Sequence, residues 1–140
     1  KSENQSPRYK MDLAEIVNRK KKGINMILEI KNIECFAHHG CLPEENSIGQ
    51  KFSVDVDLEI QNEKSVESDE LGDTADYVLI HKLVRKEMSI KSNLIEHVAG
   101  RILQQIKENV AQAQTTTVKV TKYNPPVNGQ IEKVAVIVKG

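Results

Sequence analysis

A few polar side chains stand in positions that their surroundings do not call for. Glu45 and Asn46 occupy the loop before the best strand pattern, and Tyr77 opens a helix pattern. Glu96 sits in the first turn of a second helix pattern, and Lys122 ends an apolar strand face. Carboxylates, a phenol and an ammonium are the groups of proton-transfer chemistry, and a carboxylate also anchors ligands through paired N–H donors. Each residue has a plain structural reading beside the chemical one. Glu96 suits a capping box opened by Asn93, and Lys122 could lead its ammonium out to water. Tyr77 could be a core aromatic, and Glu45 beside Glu44 reads as loop charge. Taken singly, the structural readings win.

Spacing disfavours several other chemistries. His38, His39, His81 and His97 are not at metal-chelating separations. His38 and His39 point apart in an extended segment, and His97 diverges from Glu96 on a helix. A zinc site is not expected. Neither a phosphate-cradling glycine loop nor a Gly-x-Ser-x-Gly elbow is present.

The elements that must position these residues follow from patterning. At 140 residues the chain suits one domain with a real core. Its 20 basic and 20 acidic residues balance, which points to neither a nucleic-acid nor a membrane partner. No apolar run approaches the roughly 20 residues of a membrane span, and the start lacks a secretory apolar stretch. Cys35 and Cys41 are too few for a disulfide framework, so a reducing, cytoplasmic setting is expected.

Leu28 and Ile30 share one strand face, then Ile33 and Cys35 take the other parity, which predicts a bulge around Asn32. Phe52, Val54, Val56, Leu58 and Ile60 alternate strictly with polar residues, as in a half-buried antiparallel strand. Residues 61–72 read as a polar, acidic loop. Asp73, Thr74 and Asp76 compete to cap a helix through Tyr77, Ile80, Val84 and Met88. After Ser89–Ser92, a second helix places Ile95, Val98, Ala99, Ile102 and Ile106 on one face. Strands around Thr116–Lys122 and Glu132–Lys139 flank a stiff turn at Asn124-Pro125-Pro126-Val127-Asn128-Gly129. The last strand is apolar on both faces, and another subunit is its natural cover. The order predicts an α+β domain, two helices on one face of a four-stranded antiparallel sheet.

Residues 1–25 differ from the rest. They carry a net charge of +4, against −4 for the remainder. Met11, Leu13, Ile16 and Val17 could form a short amphipathic helix. A solvated extension, an upstream leader and a targeting peptide compete; Glu3, Asp12 and Glu15 fit a targeting peptide badly, and a flexible extension with the domain over 26–140 is the simplest.

Four motifs, in order, resemble the dihydroneopterin aldolase family. They are Phe36-Ala37-His38-His39-Gly40 with Glu45-Asn46 and Ile48-Gly49-Gln50; Asp73-Thr74-Ala75-Asp76-Tyr77; Leu94-Ile95-Glu96-His97-Val98-Ala99; and Thr121-Lys122-Tyr123-Asn124-Pro125-Pro126. Many relatives have Tyr-Gly-Tyr-His-Gly where this chain has Phe36 to Gly40, which leaves the role of His38 open.

The resemblance implies the tunnelling fold, with rings of four subunits stacked into a homo-octamer and active sites between neighbours. It implies a reduced pterin substrate of folate biosynthesis and no cofactor. Glu96, with Leu94 beside it, would hold the pterin; Lys122 would be the catalytic lysine. Tyr77, from a neighbouring subunit, would help return a proton, and Glu45 would contact the side-chain hydroxyls. Two other readings stay open: an epimerase acting on dihydroneopterin or its triphosphate, and a non-catalytic pterin-binding oligomer.

Overall fold

The computed structural model describes Leu13 and residues 23–140. Of the expected N-terminal helix only Leu13 is described, helical and exposed; Met11, Ile16 and Val17 lie outside the described residues. Strand β1 (Ile24–Ala37) pairs antiparallel with β2 (Gln50–Glu63), and the short helix α1 (Pro43–Ser47) lies between them. Short helix α2 (Ser65–Ser68) and a 3₁₀ turn (Leu71–Asp73) lead to the two long helices, α3 (Tyr77–Met88) and α4 (Ile95–Asn109). Strands β3 (Ala113–Tyr123) and β4 (Lys133–Lys139) complete an antiparallel sheet of order β1-β2-β3-β4.

The alternation in β2 becomes the floor of the core. Phe52, Val54, Val56 and Leu58 are fully buried, facing Ile80 and Val84 of α3 and Val98, Ala99, Ile102 and Ile106 of α4. Each of these valine, leucine, isoleucine and phenylalanine side chains contributes about 1.5–3 kcal/mol by leaving water. With the helices segregated to one face, the class is α+β as the pattern predicts. β1 and β4 are the sheet edges, and Val134 and Ile137 of β4 stay exposed in the single chain.

Asp76, of the three candidates, caps α3, its carboxylate accepting from Val78 N–H at 2.9 Å. Two expectations need correction. Residues 61–72 are not a plain loop: β2 runs on to Glu63, and two helical turns follow. Asn93 opens no capping box. The N-cap of α4 is Leu94, without a side-chain bond, while the Asn93 amide oxygen accepts from Lys91 at 2.6 Å.

The bulge near Asn32 is present. The β1–β2 register slips between Ile30 and Ile33, and Asn32 has φ 59. Its N–H, freed from the ladder, donates to the Asp55 carboxylate at 2.6 Å. Asparagine tolerates this left-handed backbone and β-branched residues do not. Asn32→Gly is therefore expected to leave thermal stability nearly unchanged, whereas Asn32→Val should lose about 1–2 kcal/mol. Melting curves of the two variants check this, and equal melting temperatures would refute it.

Candidate active site

One end of the sheet departs from the aliphatic pattern. Along the core-facing side of β3, Val118 and Val120 are followed by Lys122, paired in register with Phe52 of β2. The Lys122 ammonium does not reach water from this strand end: the residue is 8% exposed and its Nζ meets the Glu45 carboxylate, itself 6% exposed. Glu45 is therefore neither loop charge nor in a loop; it is the third residue of α1. Its other oxygen accepts from Leu42 N–H at 3.2 Å, closing the first turn of that helix. Lys122 Nζ also donates to the His39 carbonyl at 3.3 Å.

Burial alone would raise the Glu45 pKa. The Lys122 ammonium and the Leu42 and Cys41 backbone N–H groups outweigh that, holding the carboxyl below its ordinary value. The pair is an ionised carboxylate against an ammonium. Gly40 makes room for it. Its φ is 149°, and a Cβ there would run into the Glu45 carboxylate.

A second set of contacts joins this corner to the helices. His39 is fully buried, edge-on to Phe52 with ring centroids 5.2 Å apart, while His38 is exposed. Ser92, in the α3–α4 connector, donates its N–H to His39 Nδ1 at 3.0 Å, and its carbonyl accepts from Gly40 N–H at 3.0 Å. Arg101 of α4 donates to the Ser92 hydroxyl at 2.9 Å, to the Ile90 carbonyl at 2.6 Å and to the Glu87 carboxylate at 2.6 Å. Sequence reasoning named His39 and Gln50 inside a motif without a role and missed Ser92, Glu87 and Arg101. Gln50 donates to the Tyr123 and Asn124 carbonyls at 3.3 and 3.0 Å, tying the start of β2 to the strand end that carries Lys122.

The other candidates lie around this corner or away from it. Glu96 is exposed in the first turn of α4, just beyond Ser92, and its carboxylate has no hydrogen-bond partner among the described residues. Leu94, the N-cap, is half exposed. Both flank the Lys122 corner. Tyr77 does not. It is 63% exposed, so it is not a core aromatic, and it begins α3, whose 12 residues span about 18 Å before the connector is reached. Among the described residues no cluster of three His, Cys, Asp or Glu side chains is placed to hold a metal.

Comparison with known proteins adds a family. A family model described as FolB, dihydroneopterin aldolase, matches residues 28–139. The dihydroneopterin aldolase of Staphylococcus epidermidis is 34% identical over 114 residues, 81% of this chain and 94% of that protein. That of Bacillus subtilis is 30% identical over 112 residues, 76% and 90% of the two chains. The fold is also that of the Escherichia coli dihydroneopterin aldolase solved with neopterin, with a TM-score of 0.74 at 22% identity over 82% of this chain and 98% of that one.

The buried imidazole makes stability depend on pH. Burial first, then the positive charges of Arg101, Lys122 and His38, lower the His39 pKa from 6.5 to about 4, against an opposing pull from the Met88 backbone. Between these values the unfolded chain binds the extra proton and the folded chain does not. Stability is therefore full above pH 6.5 and falls as the pH drops toward 4. Denaturant midpoints measured from about pH 7.5 down to about 5.5, above the unfolded value of 4.5 near which Glu45 begins to contribute, should fall, and His39→Asn should flatten that slope. A parent midpoint independent of pH in this window would overturn the assignment.

Proposed function

This chain belongs to the dihydroneopterin aldolase family, and we propose that it cleaves dihydroneopterin to hydroxymethyl-dihydropterin and glycolaldehyde without a metal or a lysine Schiff base. The observation that carries the reading is the buried Lys122–Glu45 pair, set at the sheet end that the α3–α4 connector ties to the start of α4. A proton leaves the second side-chain hydroxyl, the bond between the first and second side-chain carbons breaks, and its electrons pass into the ring imine. The first carbon then takes up a proton, and the second leaves as the aldehyde carbon of glycolaldehyde. The substrate supplies its own electron sink, so the lysine need only manage protons.

The residues divide this work. Glu96, without a partner among the described residues and at the positive end of α4, accepts the two parallel N–H donors of a pterin. Leu94 offers apolar contact beside it. Glu45, ionised and already holding one ammonium, accepts the side-chain hydroxyls, and Lys122 moves the proton. Neopterin bound by the Escherichia coli protein is a ligand of this class. Tyr77, some 18 Å along α3, enters the site from a neighbouring subunit. The exposed apolar edge of β4 supports joining of subunits into rings, stacked as an octamer in the cytoplasm.

Four measurements test this. Chromatography of products from dihydroneopterin should show cleavage by the parent chain; epimer alone or no turnover would replace the reading. Lys122→Ala should lower single-turnover rate about 10²–10⁴-fold with product affinity largely kept. Glu96→Ala should weaken binding of every pterin by about 1–3 kcal/mol, and near-normal turnover of Lys122→Ala would remove the lysine from the mechanism. Light scattering should show a large ring-based oligomer. A catalytically competent monomer would refute the shared site.

A further inference from the structure

We infer that His39 is the positioning residue that sets the pterin anchor Glu96 against Lys122, by gripping Ser92 of the α3–α4 connector; the inference rests on the functional reading above. His39 and Gly40 together hold both backbone groups of Ser92, the ring nitrogen taking its N–H at 3.0 Å and the Gly40 N–H reaching its carbonyl at 3.0 Å. The backbone carbonyl of the same His39 accepts from Lys122 Nζ at 3.3 Å. One residue thus touches the catalytic lysine with its main chain and the connector with its side chain.

The grip passes directly to α4. The Ser92 hydroxyl lies 2.7 Å from His97 Nδ1 and accepts from Arg101 at 2.9 Å, so the connector is fastened to the first two turns of that helix. Glu96 rides between Ser92 and His97, and its carboxylate has no hydrogen-bond partner among the described residues to hold it. Its place is therefore set by the backbone that carries it.

The slot is fully buried against Phe52, and among the described residues His39 Nε2 has no partner at full hydrogen-bond geometry, although the Met88 backbone pulls on the ring. With Nδ1 accepting, the proton sits on Nε2. A leucine would fill the slot but leave the buried Ser92 N–H without an acceptor. What the imidazole supplies is one buried acceptor for the Ser92 N–H.

The test uses the full chain with neopterin as the probe ligand. His39→Asn places an amide oxygen near the Nδ1 position, His39→Gln places its amide near Nε2, and His39→Leu has neither. His39→Asn should keep neopterin affinity within about threefold of the parent, while His39→Gln and His39→Leu weaken it about tenfold. Amide exchange across residues 89–97 should quicken in the same two variants and not in His39→Asn. In a Glu96→Ala background the affinity penalty of His39→Leu should vanish, because the positioned group is gone. Unchanged affinity in all three variants, or penalties of His39 and Glu96 that add, would overturn the inference. If His39→Leu did not fold, the contrast of Asn with Gln decides by the same criteria. A parent chain that bound no neopterin would strike the functional reading instead, and exchange at residues 89–97 would still accept or reject the grip on Ser92.

Discussion

Placing an ammonium and a carboxylate inside an aliphatic sheet end costs several kcal/mol per ion before their attraction is counted, and an imperfect match leaves that cost unrecovered. The local architecture around Lys122 and Glu45 meets this demand group by group. Leu42 N–H and Lys122 satisfy the two Glu45 oxygens, and the His39 carbonyl takes a second ammonium proton. The loop can pass this closely only because Gly40 lacks a side chain. α1 starts where it does for the same reason: with Pro43 at its first position, Glu45 falls on the turn that faces back toward Leu42. A pair of apolar residues would serve stability as well, which supports the proposed role of these ions toward a ligand.

The pair also fixes which distant segments must meet. Lys122 reaches it only if β3 ends in register with Phe52, and Gln50 clamps that end by bonding the Tyr123 and Asn124 carbonyls. Asn124 turns with φ 49 just past the clamp, sending the chain back toward β4. Gly49, at φ 82, lies against the Phe36 and His38 rings, where a Cβ would collide. The short sequence Ile48-Gly49-Gln50 is thus structural support for the strand end that carries Lys122.

Patterning made the sheet legible because burial along a strand follows a period of two: the five apolar positions of β2 face the core, and the parity slip at Asn32 is a real bulge. Cap chemistry was legible to a lesser degree. Asp76 won over Asp73 and Thr74, but Asn93 lost its cap to Leu94 because its side chain takes the Lys91 ammonium instead. What stayed hidden was non-local. Nothing in the periodicity around His39 tells of Ser92, 53 positions away, or of an arginine on another helix completing the same cluster. The ion pair was hidden likewise: Glu45 and Lys122 are 77 positions apart, and each alone looked like surface charge. Only the family motifs placed both in one site.

Tyr77 shows why one folded chain does not make the whole proposed site. α3 is a rigid rod whose far end carries the connector bound to His39, while Tyr77 stands at its start, exposed. No rotamer of a tyrosine spans about 18 Å, and tilting α3 would break the packing of Ile80 and Val84 against the sheet. The same rigidity that fixes the lysine corner therefore keeps the phenol away from it in the chain that owns both. Under the proposed mechanism the phenol must come from a second copy, whose α3 start meets the first copy's lysine corner. The sheet edges left open at β1 and β4 are where antiparallel pairing could bring that second copy in. With Tyr77 at one end of α3 and the lysine corner beyond the other, the proposed mechanism makes assembly a condition of catalysis, and an isolated subunit would hold the lysine corner without its phenol.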